Sequence, residues 1–304
     1  MAIKKITVLY GGQSSEREVS LESGKYIFQS IKDLGYETAL IDYPDGFSLE
    51  TFTTEDFIFI ALHGKDGESG ELQNLLQKKG IPYSGSGYEA CKNTWNKDTC
   101  KELLKENKIS TPNWITVSSL FDIKNSLEDV SLDLLRPFDE LFLKPAEDGS
   151  SIDVFKISDN HDLDIAIADC LDPQRPFIFE ESIDFRELTV PILNGTCLPA
   201  VEIRTSESFY NFNAKYVNED TQLSELILPI DKKHELEKIC LKTFDVMGCK
   251  GWARVDLLQD RNNNFYVLEV NTVPGMTSHS LFPKSAESIG LSYNDLVQEI
   301  INAK

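Results

Sequence analysis

The chain has 304 residues, which exceeds the usual size of one hydrophobic core and predicts two or three packed units. Hydrophobic residues make up 41% of the chain and charged residues 26%, proportions typical of a globular protein rather than a disordered one. Its 50 acidic and 30 basic side chains give a net charge of -20, which argues against a protein that binds nucleic acid or an anionic membrane.

The first 90 residues predict an open parallel α/β unit. Residues 3–10 alternate and favour β-branched types, and Gly11 and Gly12 then lead into a helix that begins near Ser15. The further elements expected in this unit are strands at 37–42 and 57–62 and a helix at 70–79. The small, glycine-containing stretch 84–87 predicts the boundary of the unit.

The rest of the chain predicts two units, at 91–180 and 181–304, that mix helices and strands. The expected elements are a helix at 94–106, strands at 141–144, 152–157, 187–193 and 198–204, a helix at 233–247, a hairpin at 252–271 and an amphipathic helix at 292–302. This order predicts a fold class of α/β together with α+β.

Cysteine usage and hydropathy bear on the cell compartment. The six cysteines show no C-x-x-C pair and no histidine partner at zinc-finger spacing, which predicts reduced, structural thiols. The apolar start is too short for a signal peptide, and no run approaches the roughly 18 apolar residues of a membrane span. We therefore expect a cytoplasmic protein.

The most informative segment is 252–271, where two alternating runs flank an Asn-rich turn as in a β-hairpin. A two-residue loop at Asn262 and Asn263 places Asp256 directly opposite Glu269. The Cβ atoms of directly opposed residues are roughly 4.5–5.5 Å apart, a distance at which two carboxylates repel each other. A divalent cation between the two acids removes this repulsion.

The same register pairs Arg254 with Asn271 and gives the hairpin one polar and one apolar face. The residues expected on the apolar face are Val255, Leu257, Leu268 and Val270. Oxygen ligands from Asp256, Glu269 and Asn271 fit magnesium, whereas no thiolate or imidazole suggests zinc. The alternative is an ion-pair cluster in which Arg254 bridges the acids, and a one-residue slip of the turn alters the pairing.

Two glycine-containing loops are candidates for binding a ligand. Lys144 ends a strand and leads into the loop 146–151, which suits closure over phosphates although the Walker order Gly-Lys-Ser/Thr is missing. The alternative is an ordinary hairpin turn. Residues 272–281 are small and hydroxyl-rich, and Gly275 beside Arg254 suits an oxyanion site.

The order and approximate spacing of three features resemble those of the ATP-grasp family. They are Lys144 with the loop Gly149 to Ser151, the pair Glu180-Glu181, and the set Asp256, Glu269 and Asn271. The motifs that narrow the match are Gly11 to Ser20, His63-Gly64, Ala214 to Tyr216, Gly248 to Trp252 and Asn271 to Leu281. With them the chain closely resembles the D-alanyl-D-alanine ligases over essentially its whole length. The resemblance implies an ATP-grasp fold with a central subdomain at 91–180 and a C-terminal subdomain at 181–304, preceded by an N-terminal open parallel α/β substrate-binding domain at 1–90.

The resemblance implies ATP-dependent joining of two D-alanines through an acyl phosphate, for peptidoglycan precursor synthesis. Glu16 is then expected to bind the ammonium of the first D-alanine, with Ser150 and Tyr216 hydrogen-bonded to it. His63 is expected beside that substrate. Considered separately, Glu16 is also a first-turn acid that favours the helix dipole, and His63 is also typical of a satisfied loop histidine.

For the second D-alanine, the resemblance implies that the carboxylate is held near Ser280 and Leu281. Arg254 and the N–H of Gly275 are then expected to stabilise the oxyanion formed when the amine attacks the acyl phosphate. Because an acyl phosphate hydrolyses in water, a closing lid is expected, and Lys215 and Tyr216 fall in that segment.

The resemblance also implies a nucleotide site and a metal site. The residues expected at ATP are Lys97, Lys144, Ser151, Glu180, Glu181, Ile183, Glu187 and Lys215. Asp256, Glu269 and Asn271 are expected to bind Mg²⁺, two ions in this family, for which Mn²⁺ can substitute. A homodimer is also implied.

The chain departs from the family pattern at two places. Asp153 stands where the family commonly has glycine at the end of the phosphate loop. Phe185 and Arg186 stand where the family has Gly-Pro or a similar pair before the ribose-binding acid, here Glu187.

Other functions account for part of these features. A nicotinamide-dependent oxidoreductase explains the strand, Gly11-Gly12 and helix with Asp42 after the second strand, but the full G-x-G-x-x-G is absent. A non-catalytic nucleotide-binding module does not need Glu16 or Arg254. The alternatives within the ATP-grasp family are a related carboxylate–amine ligase and a depsipeptide ligase, which accepts a hydroxy acid as second substrate.

Overall fold

The computed structural model describes residues 3–123, 140–205 and 220–303. The strands are β1 (Lys5–Gly11), β2 (Thr38–Tyr43), β3 (Asp56–Ile60), β4 (Trp114–Val117), β5 (Leu141–Pro145), β6 (Phe155–Ile157), β7 (Phe177–Glu181), β8 (Phe185–Leu193), β9 (Thr196–Cys197), β10 (Val201–Arg204), β11 (Gln222–Glu225), β12 (Trp252–Asp260) and β13 (Phe265–Asn271). The α-helices are α1 (Arg17–Asp33), α2 (Lys65–Glu68), α3 (Glu71–Lys79), α4 (Tyr88–Trp95), α5 (Lys97–Glu106), α6 (Asn160–Asp169), α7 (Ile230–Met247), α8 (Leu281–Ser288) and α9 (Tyr293–Asn302). Short 3-10 helices lie at Leu49–Thr51 and Leu120–Asp122.

The first sheet is parallel and has the strand order β2-β1-β3. The central strand β1 is almost continuously apolar because elements pack on both of its faces, and Ile6, Val8 and Leu9 are fully buried. Helix α1 covers one face with Ile27 and Ile31. The predicted open parallel α/β unit is confirmed.

Residues from the far end of the chain complete the core of this first sheet. Leu296 and Val297 of α9 are fully buried in the same apolar cluster as β1 and β3. Trp252, at the start of β12, links the two parts, since its ring lies 6.2 Å from that of Phe59 and 5.3 Å from that of Phe282. The position of β12 is therefore fixed by packing against the first sheet.

The second sheet is antiparallel, with the order β4-β7-β5-β6. Its core contains Leu143, Ile157, Phe177 and Phe179, and helix α6 adds Leu163. The β5–β6 hairpin carries the candidate phosphate loop at its tip.

The third sheet has the order β11-β10-β8-β12-β13, with β9 beside β8. Helix α7 covers it with Cys240 and Phe244, which lie in one core with Val255, Leu257 and Val270. This sheet presents its other face, with the polar residues of the C-terminal hairpin, toward the loops of the first and second sheets.

Several elements differ from the sequence prediction. The helices α4, α6 and α8 and the strand β4 were not predicted, because each is short and is stabilised by tertiary packing more than by its own pattern. The strand predicted at 152–157 begins only at Phe155, since the backbone of the preceding loop is left-handed at Asp153. Strand β7 runs across residue 180, and the domain boundaries at residues 90 and 180 stay predictions.

No helix in the described ranges is long and apolar enough to cross a membrane. All six cysteines are free thiols.

Replacing Phe282 by Ala tests the junction between β12 and the first sheet. Phe282 is fully buried against Trp252, so we expect the loss of its ring to lower the free energy of unfolding by about 3–5 kcal/mol. Urea unfolding followed by tryptophan fluorescence measures this loss. The control Phe121→Ala removes a ring that is 63% exposed. Equal losses of unfolding free energy in the two variants would contradict a role of Phe282 in stabilising this junction.

Candidate functional site

A pocket of about 600 Å³ lies where loops of the three sheets meet. It is lined by side chains from α1 and the loop after β3, from the β5–β6 loop, and from β12, β13 and the segment that follows them. The charged and polar residues at its wall include Glu16, His63, Glu68, Lys97, Ser150, Arg254, Glu269, Asn271, Gly275 and Ser280. Residues more than 250 positions apart in sequence therefore share one cavity.

The C-terminal hairpin has the predicted pairing at the site. Arg254 is paired with Asn271, and Asp256 with Glu269. These pairs lie on adjacent antiparallel strands, so Arg254, Glu269 and Asn271 all reach the pocket wall. The prediction of facing carboxylates is confirmed at the level of strand register.

The two-residue loop that led to this register is wrong. Gln259 pairs with Phe265, and Asn263 has a left-handed backbone with φ 63°, so the loop is longer than predicted. A β-bulge between the pairs Asp256–Glu269 and Leu257–Val267 restores the predicted pairing nearer the site. Leu268, predicted to lie in the core, is the extra residue of the bulge and is only partly buried, whereas Val267 is fully buried.

Asp256 is held by neighbouring side chains. Arg254 Nε and Nη2 lie 2.9 and 2.8 Å from its two carboxylate oxygens, and the hydroxyl of Thr189 donates to Oδ1 at 2.5 Å. The ion pair considered as an alternative to a metal site is thus present between Arg254 and Asp256. Asp256 does not line the pocket, whereas Glu269 and Asn271 do.

The oxygen atoms near this pair are the available metal ligands. Within residues 3–123, 140–205 and 220–303, no group of three or more His, Cys, Asp or Glu side chains is arranged to hold a metal ion. The set Asp256, Glu269 and Asn271 contains two carboxylates and one amide, and Asn271 Oδ1 also accepts a hydrogen bond from the Val273 N–H at 3.0 Å. Hard oxygen donors of this kind fit Mg²⁺ or Mn²⁺.

The β5–β6 loop brings Ser150 to the pocket. Ser150 is buried, and its backbone is left-handed with φ 55°. The preceding Gly149 lies against Glu16, because a Cβ built on Gly149 would come within 2.7 Å of Glu16 Oε2. A side chain at position 149 would therefore displace the acid predicted to bind the first substrate.

Lys97 supports this loop from the start of α5. Its Nζ donates to the carbonyl oxygen of Asp148 at 2.7 Å. Burial lowers the pKa of the Lys97 ammonium below its ordinary value, and the nearby carboxylate of Glu269 opposes that change. Lys97 is thus a cation in the wall of the pocket whose charge is balanced by acids.

Glu180 lies in a buried charge cluster instead of at the pocket wall. Its Oε2 is 2.6 Å from Lys101 Nζ, and Oε1 pairs with Lys144. Burial alone would raise the pKa of Glu180, but the two lysines outweigh burial and hold the pKa below its usual range. Lys101 was not predicted, and its position within the amphipathic helix α5 gave no signal of this role.

The remaining nucleotide candidates also lie away from the pocket wall. Glu181 accepts hydrogen bonds from the backbone and side-chain amides of Asn113 at 3.0 and 2.8 Å. Ile183 lies in the connection from β7 to β8, and Glu187 pairs with Ile203 in β10. The candidates outside the pocket lining are Lys144, Ser151, Glu180, Glu181, Ile183, Glu187 and Asp256. Lys215 and Tyr216 lie outside the described residues.

His63 connects α1 to the segment after β13. Its Nδ1 lies 2.8 Å from the carbonyl oxygen of Val273 and its Nε2 lies 3.2 Å from Ser23 Oγ. The carbonyl can only accept, so Nδ1 carries the proton and Nε2 accepts from the serine. Burial lowers the pKa of His63, which favours this neutral form.

Glu68 is a pocket residue that the sequence analysis missed. It accepts a hydrogen bond from the Gly64 N–H at 2.8 Å. Burial and the neighbouring charge of Glu16 raise the pKa of Glu68 well above its ordinary value. The only signal in the sequence was its place five residues after His63.

The segment after β13 supplies the opposite wall. Ser280 precedes α8, and its Oγ accepts from the Thr277 N–H at 3.0 Å. A Cβ on Gly275 would lie 2.8 Å from this Oγ, so glycine permits the close approach of the two residues. Leu281 is the first residue of α8, and a helix N-terminus suits an anion because its first N–H groups have no partner within the helix.

Comparisons with known proteins identify the family of the chain. The family described as D-ala D-ala ligase C-terminus matches residues 103–302. The chain is 39% identical over 302 residues to the D-alanine–D-alanine ligase of Haemophilus ducreyi, covering 98% of this chain and 97% of the relative. It is 41% identical over 308 residues to the enzyme of that name from Carboxydothermus hydrogenoformans, with 98% and 97% covered.

Solved structures give the same result. A crystal structure of D-alanine–D-alanine ligase from Bacillus anthracis complexed with ATP superimposes with a TM-score of 0.82 at 31% identity, covering 98% of this chain and 96% of that one. The VanG D-Ala:D-Ser ligase from Enterococcus faecalis has a TM-score of 0.84 at 25% identity, with 98% of each chain covered.

The state of His63 predicts a pH dependence of stability. Because its pKa in the folded protein is lowered from 6.5, the folded state resists protonation, and stability falls as pH drops below about 6.5. We expect the urea midpoint of His63→Gln to fall less steeply between pH 7.5 and 5 than that of the wild type. The exposed His161→Gln serves as control, and parallel curves for all three proteins would refute the prediction.

Proposed function

Since the chain belongs to the D-alanine–D-alanine ligase family, we propose that its pocket joins two D-alanines to D-alanyl-D-alanine and converts ATP to ADP and phosphate. The observation that carries this proposal is the gathering of Glu16, Ser150, Arg254 and Ser280 around one pocket. These residues lie on elements attached to three separate sheets. Ligation needs an amino acid, a phosphate and a second amino acid side by side.

The chemistry requires activation of a carboxylate. An amine does not displace oxide from a carboxylate at neutral pH, so the carboxylate oxygen of the first D-alanine attacks the γ-phosphorus of ATP and ADP leaves. The amine of the second D-alanine then attacks the acyl carbon of this acyl phosphate. Collapse of the tetrahedral adduct breaks the acyl C–O bond, releases phosphate and leaves the amide.

Glu16 is proposed to hold the ammonium of the first D-alanine. It is buried at the start of α1, and Gly149 and Ser150 lie against it across the pocket. A carboxylate that is largely removed from water binds an ammonium more strongly than an exposed one. His63, neutral and tied to Val273, forms the adjacent wall. Tyr216 is proposed to join this contact from the lid.

Ser280 and Leu281 are proposed to hold the carboxylate of the second D-alanine. They lie at the N-terminus of α8, where the helix dipole and unpaired N–H groups favour an anion. Arg254 and the N–H of Gly275 line the same part of the pocket and are proposed to stabilise the oxyanion. One well-placed donor of this kind contributes about 3–4 kcal/mol to catalysis.

ATP is proposed to lie between the second and third sheets. Lys97 reaches the pocket beside the phosphate loop and supplies positive charge there. Lys144, Ser151 and Lys215 are proposed as further phosphate contacts. The base and ribose are assigned to Glu180, Glu181, Ile183 and Glu187.

Magnesium is proposed to be held by Asp256, Glu269 and Asn271, with Mn²⁺ as a substitute. When bound, a divalent ion neutralises the phosphate charge and polarises the phosphoryl group. The protein places Asp256 and Glu269 in directly opposed strand positions, where they need a counter-charge. Arg254 supplies part of that charge to Asp256.

Three further properties are proposed from the family relationship. They are a role in peptidoglycan precursor synthesis, a cytoplasmic location and assembly as a homodimer.

The proposed reaction is tested with purified protein, ATP, magnesium chloride and D-alanine. We expect release of ADP and phosphate together with D-alanyl-D-alanine, and none of these in quantity with L-alanine or without amino acid. D-serine and D-lactate replace D-alanine in parallel reactions. Phosphate release without any dipeptide would sink the proposal, and preferred incorporation of D-lactate would indicate a depsipeptide ligase.

Glu16→Gln tests binding of the first ammonium. Loss of a hydrogen-bonded charge pair predicts a rise in KM for D-alanine of roughly tenfold or more. Glu18→Gln is the matched control, because this acid lies in the same helical turn but is exposed. Initial rates against D-alanine concentration give both values, and equal KM values for the two variants would remove Glu16 from the site.

Glu269→Gln tests the metal site. We expect the magnesium concentration for half-maximal activity to rise at least roughly tenfold, the effect typical of residues that merely support a metal ligand. Treatment with EDTA is expected to abolish activity in every variant, and added Mg²⁺ or Mn²⁺ to restore it. Glu287→Gln, an exposed acid on α8, is the control, and an unchanged magnesium dependence of Glu269→Gln would argue against coordination.

A further inference from the structure

The phosphate loop between β5 and β6 has an unusual backbone. Ser150, Ser151 and Asp153 are all left-handed, with φ of 55°, 58° and 52°. Residues with side chains rarely adopt this conformation, so the surrounding structure has to hold them there. Asp153 also occupies the position at which glycine was expected from the family pattern.

Arg175 contacts both ends of this loop. Its Nη1 lies 2.6 Å from Asp148 Oδ2, and its Nη2 lies 2.5 Å from Asp153 Oδ2. One planar guanidinium therefore bridges a carboxylate before the two serines and a carboxylate after them. The second contact is almost fully enclosed, since the side chain of Asp153 is only 4% exposed.

Asp153 and Arg175 each make a further contact that holds them in place. Asp153 Oδ1 accepts from the Leu171 N–H at 3.1 Å, and the guanidinium of Arg175 lies 5.7 Å from the centre of the Phe177 ring. The rigid strand β7 thereby holds the cation in place, and the cation holds the loop. An exposed ion pair contributes little, but an enclosed, two-sided contact of a planar group restricts geometry.

Asp148 also lines the pocket. Its side chain binds Arg175, and its carbonyl oxygen accepts a hydrogen bond from Lys97 Nζ at 2.7 Å. Gly149, the next residue, lies against Glu16. A change in the position of Asp148 would thus move the lysine and the loop serines together.

We propose that Arg175 is a positioning residue which, with Asp148 and Asp153, clamps the phosphate loop in the conformation that binds ATP. This rests on the proposed function of the loop. Asp153 replaces the conformational freedom of glycine with an ionic anchor. Arg175 touches neither substrate, and its effect on the reaction is exerted through Lys97, Ser150 and Ser151.

The test compares Arg175→Met, Asp153→Asn and the double variant with wild type. Asparagine tolerates the left-handed backbone as well as aspartate does, so Asp153→Asn removes the charge and leaves the conformation accessible. We expect each single variant to raise the KM for ATP about tenfold, the size of a lost charge-assisted hydrogen bond, with little change in the KM for D-alanine. Both substitutions break the ion pair between Arg175 and Asp153. The KM for ATP of the double variant should therefore be no higher than that of Arg175→Met.

The control is Arg261→Met, which removes an exposed ion pair with Asp184 of similar length, 2.6 Å. Binding of a non-hydrolysable ATP analogue, measured by calorimetry, separates loop positioning from turnover, and urea unfolding reports any loss of stability. If Arg175→Met fails to fold, Arg175→Lys and Asp153→Asn carry the test, and lysine should rescue ATP binding only in part.

Two results overturn the clamp. One is an unchanged KM for ATP in Asp153→Asn, and the other is a loss of stability in Arg175→Met without a change in nucleotide affinity. A wild-type protein that binds ATP but makes no dipeptide would instead refute the proposed function and leave the effect of Arg175 on ATP binding measurable.

Discussion

The site depends on the cross-strand pairing of two acidic residues. Asp256 and Glu269 occupy directly opposed positions of an antiparallel hairpin, where like charges are destabilising unless positive charge lies near them. Arg254 partly meets this demand for Asp256, while Glu269 faces the pocket. The charge balance of the reaction site therefore begins with the register of β12 and β13, and Lys97 extends it to the phosphate loop.

That register is held by the core behind it. Val255 and Leu257 pack under α7 on one side of the third sheet, and Trp252 inserts its ring between Phe59 and Phe282. The polar face of the hairpin is thereby aimed at the loops of the first sheet. Packing that contains no catalytic group thus determines which acids meet which cations in the pocket.

Sequence reasoning predicted the parallel first unit, the ligase family and the paired acids of the hairpin. The register was right although the loop was wrong, because the bulge at Leu268 offsets a longer turn at Asn263. Patterns of alternation report which face a residue occupies, but turn length and bulges are decided by local backbone energetics that one sequence does not reveal. The metal assignment of these acids stays a prediction.

Other features had little or no sequence signal because they depend on tertiary proximity. Glu68 lies on a four-residue helix, and its unusual pKa comes from enclosure and from Glu16, which is remote in sequence. Nothing in the sequence distinguishes Lys101 from a surface lysine, because its partner Glu180 lies on β7, which is remote in sequence. The departure at Asp153 was visible in the sequence, but its partner Arg175 was not. The oxidoreductase alternative is not supported, since the relatives over the full length are ligases.

The closing of the first core by α9 has a consequence for how the protein is made. The strands β1 and β3 leave the ribosome well before Leu296 and Val297, which cover them in the folded protein. Until then part of the apolar surface of the first sheet is open to water or to other chains. The first sheet therefore exposes apolar surface during synthesis that a chaperone could cover until α9 has been made.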